Sequence, residues 1–259
     1  MNNPFGWFGE WLRRRPPTPP EPTVWRTLIE AVPLLHGLDH IERERLRGLV
    51  GEFVVAKQFH GADGLEIDDA RRLLIAAQAC LPILNLGMAW YRGWRSIIVY
   101  PDSFRVPYHE TDNAGVVHEG EHIRSGESWP DGPVVLSWPD VVSGAAGHYD
   151  ENLVIHEFAH KLDQRDGDAN GMPPLPRNMN RRAWSQAFGD AFDRLNTQLD
   201  RNQDALLGDY EASSPAEFFA AVCELFFVRP DLLAEEWPPV YDQLRTFFRQ
   251  DPQARLTPH

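Results

Sequence analysis

Two stretches of the chain carry the pattern His-Glu-x-x-His, in which two histidines can bind a metal ion and the glutamate between them can activate a water molecule. One stretch is HEGEH at residues 118–122, and the other is HEFAH at residues 156–160. Histidines four residues apart lie about 6 Å apart on an α-helix, so both can reach one metal, but they lie about 13 Å apart on a strand. The secondary structure of each stretch therefore decides which of them can form a metal site.

The first stretch has the pattern of a strand. Gly120 lies at its centre, and its only apolar neighbours are Val116, Val117 and Ile123. These residues form no helical stripe, and they lie among short β-branched runs. We therefore predict that residues 118–122 form a half-exposed strand that matches the zinc pattern by chance.

The second stretch has the pattern of a buried helix. Apolar residues surround both histidines at helical spacing, namely Leu153, Val154, Ile155, Phe158, Ala159 and Leu162. Asp150 is the predicted N-cap, and no helix-breaking residue follows before Gly167. Two core histidines satisfied by hydrogen bonds are the alternative, but Glu157 stands where a metallopeptidase needs its general base. We predict that His156 and His160 bind the metal and that Glu157 is the catalytic base.

A catalytic zinc usually has three protein ligands and one position for water, so a third ligand must come from elsewhere in the chain. Glu217 and Glu224 lie on one face of a later predicted helix, which begins with Ser214 as N-cap and Pro215. Spacing favours Glu217 as the third ligand, and the alternative for it is a capping box with Ser214. Glu224 is either a partner of a ligand or a buried carboxylate with other hydrogen bonds.

The elements around these motifs follow an α+β order. Helices are predicted at residues 23–33, 39–56 and 67–81, and again at 151–163, 180–200, 215–228 and 238–250. Between them, the runs SIIVYPDSFRVPY, GVVHEGEHIR and GPVVLSW predict a small mixed sheet. Proline at both ends of residues 133–138 predicts an edge strand there.

The chain of 259 residues changes in composition near residue 22. Residues 1–22 are predicted to be an N-terminal tail with a proline-rich linker, and residues 23–259 a single domain. Within that domain, residues 23–93 form the N-terminal helices, and residues 94–259 form the sheet and the active-site helices.

Composition narrows the partners and the compartment. A formal net charge of −13 argues against direct binding to nucleic acid or to anionic membranes. The cysteines, Cys80 and Cys223, provide no disulfide framework, which indicates a cytoplasmic protein. We expect no signal peptide, and no transmembrane segment, because the most apolar stretch is interrupted by Gln78, Pro82 and Asn85.

Several motifs in a fixed order resemble those of the Mlc titration factor A family. The motifs are LNLG, GPVVLSW, HEFAHKLD followed by a Gly-Asp turn, and SPAEFFA with ELFF after it, and the resemblance runs from about Val24 to the C-terminus. The members of this family are glucose-regulated metallopeptidases related to the catalytic domain of anthrax lethal factor. The resemblance implies a zincin-like metallopeptidase fold with one Zn²⁺ per chain.

The resemblance also implies roles for two residues after the HEFAH helix. The family has a Tyr-x6-Glu element there, whose glutamate binds zinc and whose tyrosine assists catalysis; the matching residues are Tyr210 and Glu217. One position departs from the wider thermolysin-like group, which has an aspartate four residues after the ligand glutamate. Ala221 stands at that position, so the residue that orients a histidine is not assigned.

The implied reaction is metal-assisted hydrolysis of an amide bond in a peptide or protein substrate. Glu157 would move the proton, and Tyr210 would hydrogen-bond the oxyanion, with a packing role as the alternative for Tyr210. The edge strand predicted at residues 133–138 would hold the substrate main chain, with an ordinary core strand as the alternative. Aminopeptidase and endopeptidase action are not distinguished.

A different class of function is also implied by the resemblance. The founding member of the family is named for titrating Mlc, a glucose-responsive repressor, so the chain could bind an Mlc-like transcriptional repressor, with hydrolysis secondary. Either function would link the protein to the regulation of sugar uptake. A purely structural zinc site is disfavoured, because two histidines and one carboxylate leave a coordination position open.

Overall fold

The computed structural model of the chain describes residues 17–102, 104–111, 117–124, 126–128, 132–147 and 151–256. These residues form an α+β arrangement in which helices lie before, between and after the strands along the chain. No helix among them is both long enough and apolar enough to span a bilayer.

The N-terminal part is mostly helical, as the sequence predicts, but it also contains one strand that the prediction for residues 23–93 missed. It contains α1 (Pro22–Ala31), α2 (His40–Ala56) and α3 (Asp69–Cys80). The side chain of Asp39 caps α2 by accepting from the backbone of Glu42, whose own side chain returns a hydrogen bond, and this reciprocal pair fixes the start of the helix.

The described residues contain six strands: β1 (Gln58–Gly61), β2 (Ser96–Tyr100), β3 (Phe104–Thr111), β4 (Val117–Arg124), β5 (Gly126–Ser128) and β6 (Val134–Ser137). β1 lies between α2 and α3, and the other five follow α3. Strands β1, β2, β6 and β5 form one sheet in that spatial order. β1, β2 and β6 run parallel, and β5 is antiparallel to β6, so the sheet is mixed. β3 and β4 pair antiparallel as a separate two-stranded sheet.

The predicted edge position of residues 133–138 is wrong. β6 lies between β2 and β5, and all its residues are buried. Pro133 and Pro139 lie just outside the strand, so they remove no ladder donor from Val134–Ser137. The prolines mark where the strand begins and ends, and they carry no information about its place in the sheet.

Directly after β6 the chain forms α4 (Trp138–Ala146), a helix absent from the sequence-based prediction. Pro139 stands in its first turn, where the missing N–H is not needed. Gly147, with a φ of 70°, ends the helix in the left-handed region. The run of small residues between these two points gave no clear helical stripe.

The C-terminal part is again helical. Its helices are α5 (Leu153–Asp163), α6 (Arg181–Asp200), α7 (Pro215–Val228), α8 (Pro230–Glu236), α9 (Pro238–Phe248) and α10 (Pro252–Leu256). The last four begin with proline, which suits the first turn of a helix because its fixed φ is helical and no N–H is required there. The predicted helices in this part match α5, α6, α7 and α9.

The helix α5 is held on one side by aromatic packing and on the other by α7. The ring of Phe158 is fully buried, with centroid distances of 5.2 Å to Tyr91 and 5.6 Å to Trp94 and to Phe53. Such edge and tilted contacts stabilise a core beyond the burial of apolar area. In the last turn of α5, Lys161 Nζ donates a hydrogen bond to the carbonyl of Gly132, 3.0 Å away. Gly132 lies just before β6. The helix is therefore fixed to the sheet side while its other face meets α7.

Candidate metal centre

The HEFAH stretch lies on the helix α5, as predicted, but the N-cap is Asn152. The side chain of Asn152 accepts a hydrogen bond from the backbone N–H of Ile155 at 3.0 Å. The predicted cap, Asp150, lies outside the described residues. Asparagine and aspartate cap a helix about equally well, so residue type gave no reason to prefer Asp150 to Asn152.

The two histidines of α5 converge on one carboxylate of α7. His156 Nε2 lies 3.3 Å from Glu217 Oε2, and His160 Nε2 lies 3.4 Å from the same oxygen. The donor atoms of these three residues all lie within 4.8 Å of one another. Ligand atoms placed tetrahedrally at about 2.0–2.1 Å from a zinc ion are about 3.3 Å apart. The donor set and these two distances therefore fit a bound metal ion with tetrahedral ligands.

The electrostatics of the three residues also favour a cation. Burial alone would raise the pKa of Glu217, but hydrogen bonds with both histidines dominate and hold that pKa well below its usual range. Burial opposes the charged form of His156, yet the hydrogen bonds to Glu217 and Glu224 raise its pKa to about 10. Burial lowers the pKa of His160. One positive charge is thus stabilised beside the carboxylates, at the place where a bound metal would supply its own.

Glu224 provides the contact that the missing aspartate would make. It lies on α7 two turns after Glu217, and its Oε2 is 3.3 Å from His156 Nδ1. Its Oε1 accepts from the backbone N–H of Asn152. A carboxylate at the far nitrogen of a metal-binding histidine fixes the ring orientation and the tautomer. Glu224 is therefore a partner of His156, which is one of the two roles that the sequence left open.

The start of α7 explains why Glu217 reaches the histidines. Ser214 is the N-cap, and its Oγ accepts from the backbone N–H of Glu217 at 3.2 Å. Half of the capping-box alternative is thus present, but the carboxylate of Glu217 contacts His156 and His160. The cap thus fixes the first turn of α7, from which Glu217 contacts the two histidines of α5.

A second contact, absent from the sequence-based prediction, connects the end of α5 to the start of α7. The fully buried carboxylate of Asp163 accepts from the backbone N–H groups of Asn170 at 2.8 Å and Gly171 at 2.7 Å. Gly171 has a φ of +81°, and a Cβ there would lie 2.6 Å from the carbonyl oxygen of Pro215. Only glycine allows this approach. The turn held by Asp163 thus supports the first residue of the helix that carries Glu217.

The other two predicted site residues are Glu157 and Tyr210, and they differ in how exposed they are. Glu157 lies on α5 between the two histidines in sequence, it is 4% exposed, and its negative charge contributes to the raised pKa of His156. Tyr210 is half exposed, and its carbonyl accepts from the N–H and Oγ of Ser213 in the turn before α7. The catalytic roles of Glu157 and Tyr210 both stay predictions.

The HEGEH stretch lies on β4, as predicted. In the pairing of β3 with β4, His118 is opposite Glu110 and His122 is opposite Val106. The extended backbone spaces these two histidines by about 13 Å. The prediction that this stretch is a strand is confirmed.

Comparisons with known proteins identify the family of the chain. The family described as "Glucose-regulated metallo-peptidase M90" matches residues 8–249. The chain is 38% identical over 232 residues to Mlc titration factor A of Salmonella arizonae, covering 87% of this chain and 90% of that protein. It is 37% identical over 230 residues to Mlc titration factor A of Yersinia pestis, covering 87% of this chain and 84% of that protein. The chain therefore belongs to the glucose-regulated metallopeptidase family M90.

Proposed function

We propose that the protein is a zinc-dependent peptidase with one Zn²⁺ per chain, held by His156, His160 and Glu217. The observation that carries this proposal is the pair of distances, 3.3 and 3.4 Å, from Glu217 Oε2 to the two histidine Nε2 atoms. Tetrahedral ligands of zinc have this spacing, and two histidines with one carboxylate leave the fourth position open.

The residues of the chain divide the chemistry among them. When bound, zinc would lower the pKa of a coordinated water to about 7 and polarise the scissile carbonyl. Glu157 takes the proton of the attacking water and passes it to the leaving amine. Tyr210 donates a hydrogen bond to the oxyanion of the tetrahedral intermediate. Glu224 holds Nδ1 of His156, which leaves Nε2 directed toward the metal.

The substrate is a peptide or a protein, whose main chain we propose to bind by strand addition. The interior strand β6 cannot serve, because both its sides are already paired. We propose that the substrate adds to β5 (Gly126–Ser128), the outer strand beyond β6 in the described sheet. This assignment favours neither aminopeptidase nor endopeptidase action.

The test compares wild type with Glu157→Gln for zinc content and peptide hydrolysis. Both proteins should bind one zinc, because glutamine keeps the shape of the side chain and Glu157 is not among the proposed ligands. Turnover should fall by about 10²- to 10⁴-fold in the variant, which lacks the general base. Substantial hydrolysis by Glu157→Gln would contradict the mechanism.

A second function is favoured by the names of the relatives. Proteins 37–38% identical to this chain are called Mlc titration factor A, a name that refers to binding of the repressor Mlc. The alternative is therefore a cytoplasmic protein that sequesters an Mlc-like transcriptional repressor, with hydrolysis secondary and a regulatory role in sugar uptake. Sequestration by Glu157→Gln at wild-type affinity, together with zinc-loaded wild type that cleaves none of the peptides tested, would favour this alternative.

A further inference from the structure

A fully buried amide pair lies behind the metal centre. Gln78 on α3 and Asn152 at the start of α5 have no exposed surface. Asn152 Nδ2 donates to Gln78 Oε1 at 2.8 Å. On its other side, Gln78 Nε2 donates to the carbonyls of Leu74 at 3.1 Å and Val141 at 3.3 Å. This pair thus connects α3 and α4 to the start of α5.

The same asparagine connects the pair to the metal centre. Its Oδ1 caps α5, and its backbone N–H donates to Glu224 Oε1, whose other oxygen contacts His156 Nδ1. A continuous path of hydrogen bonds therefore runs from Gln78 through Asn152 and Glu224 to His156. The path crosses residues that are 74 positions apart at one step and 72 at the next.

The direction of the hydrogen bonds along this path is fixed. The amide of Gln78 uses its oxygen for Asn152 and its nitrogen for two carbonyls, so a flipped amide would set two N–H₂ groups against each other. Asn152 is fixed likewise, because its oxygen is needed at the helix cap. Both amides therefore have one satisfied orientation, and Glu224 accepts from the backbone N–H of the asparagine that they hold in place.

Close packing of α4 confines the asparagine further. A Cβ at Gly144 would lie 3.0 Å from Asn152 Cα and 3.1 Å from its side chain. Burying a polar side chain disfavours folding unless its hydrogen bonds are made, so an apolar residue would fill the position of Gln78 more simply. A glutamine at this buried position is explained by the orientation that it imposes on Asn152.

We propose that Gln78 and Asn152 are positioning residues of the metal centre, which hold Glu224 against His156 and so fix the imidazole with Nε2 toward the metal. This inference rests on the proposed zinc site. Residues that orient a metal ligand from outside the ligand set typically change metal affinity by about 10- to 100-fold when mutated. For Gln78, which acts through two intermediate groups, we expect an effect of about tenfold.

The experiment measures zinc affinity of the full chain by competition with a chromophoric chelator. Gln78→Met removes the amide while keeping the volume, and the matched control is Gln250→Met. Gln250 is also buried, and it donates to the carbonyl of Leu81 at 2.9 Å, but its oxygen contacts Arg255 in a separate network. Both variants should lose similar thermal stability. Only Gln78→Met should weaken zinc binding.

A double-mutant cycle separates positioning from a general loss of structure. In a Glu224→Ala background the path is already broken, so Gln78→Met should have no further effect on zinc affinity. Gln78→Glu is the conservative rescue, because a buried protonated carboxyl group can accept from Asn152 Nδ2 and donate to one carbonyl. It should restore most of the affinity lost in Gln78→Met.

Asn152→Ser provides the same test if Gln78→Met does not fold. Serine keeps a cap acceptor and the backbone N–H that Glu224 needs, and it removes only the donor to Gln78. Equal zinc affinities of Gln78→Met (or Asn152→Ser) and Gln250→Met would overturn the inference while the zinc site stands. A full tenfold effect that persists in the Glu224→Ala background would also overturn it. Failure of wild type to bind zinc would overturn the proposed function, and this assignment with it.

Discussion

Residues 118–122 and residues 156–160 share the letters His-Glu-x-x-His, but the first stretch lies on β4 and the second on α5. On the helix, the imidazole centroids of His156 and His160 are 5.1 Å apart. On a strand, positions four apart are separated by about 13 Å, which exceeds the span of two zinc bonds. The two stretches therefore teach that the pattern carries metal chemistry only where its neighbours enforce a helix.

The two stretches also differ in the neighbouring element of structure that each one contacts. The helix α7 crosses α5 and brings Glu217 to both histidines and Glu224 to the far nitrogen of His156. The strand β4 is paired with β3. A metal site thus depends on a second element that supplies the third ligand and a carboxylate that orients His156, and the His-Glu-x-x-His pattern by itself specifies neither.

The largest effect should come from the proposed ligands. His156→Ala or Glu217→Ala should weaken zinc binding by more than about 100-fold, the upper range for residues that only orient a ligand, and should abolish hydrolysis. Zinc content after dialysis against a weak chelator measures the loss. Stoichiometric zinc in His156→Ala would show that the metal does not bind at the helical stretch, and stoichiometric zinc in Glu217→Ala would remove Glu217 from the proposed ligands.

A smaller loss is expected for Tyr210→Phe. Removal of one hydrogen-bond donor to an oxyanion lowers kcat by about 10²- to 10³-fold, and zinc affinity should not change because the phenol is not a proposed ligand. Steady-state kinetics with zinc-loaded protein measure the effect. An unchanged kcat would assign Tyr210 to packing. The oxyanion would then lack its predicted hydrogen-bond donor.

Glu224→Ala should weaken zinc affinity less than loss of a proposed ligand does. It leaves the three proposed ligands in place and frees Nδ1 of His156, so zinc affinity should fall by about 10- to 100-fold. The same chelator competition should rank Glu217→Ala below Glu224→Ala in affinity. The reverse order would exchange the roles of the two glutamates.

The smallest effect is expected for the stretch on β4. His118→Ala combined with His122→Ala should leave zinc content, zinc affinity and turnover at wild-type values, because the strand separates the two positions too widely for one ion. The double variant is compared with wild type in the same assays. Loss of zinc there would reverse the choice between the two stretches.

The features that the sequence predicted correctly depend on residues close together along the chain. Apolar spacing around His156 and His160 identified α5, and Ser214 with Pro215 identified the start of α7, because caps and helical periodicity act within a few residues. The division into a tail (1–22) and a single domain (23–259) stays a prediction.

What the sequence did not predict depends on tertiary contacts. The interior position of β6 was missed because flanking prolines report only where a strand ends. The role of Glu224 and the bond between Gln78 and Asn152 join residues more than 60 positions apart, and no spacing rule reaches that far. The contact of Gly171 with Pro215 is of the same kind.

The proposed ligands lie on α5 and α7, and the whole of α6 (Arg181–Asp200) falls between them along the chain. A zinc ion shared by the two helices would close residues 161–216 into a loop, as a disulfide closes the segment between its cysteines. Because the ion binds only the folded arrangement, its binding free energy adds to the stability of that segment. Chelation should therefore speed amide hydrogen exchange in α6, a helix that contributes none of the proposed ligands.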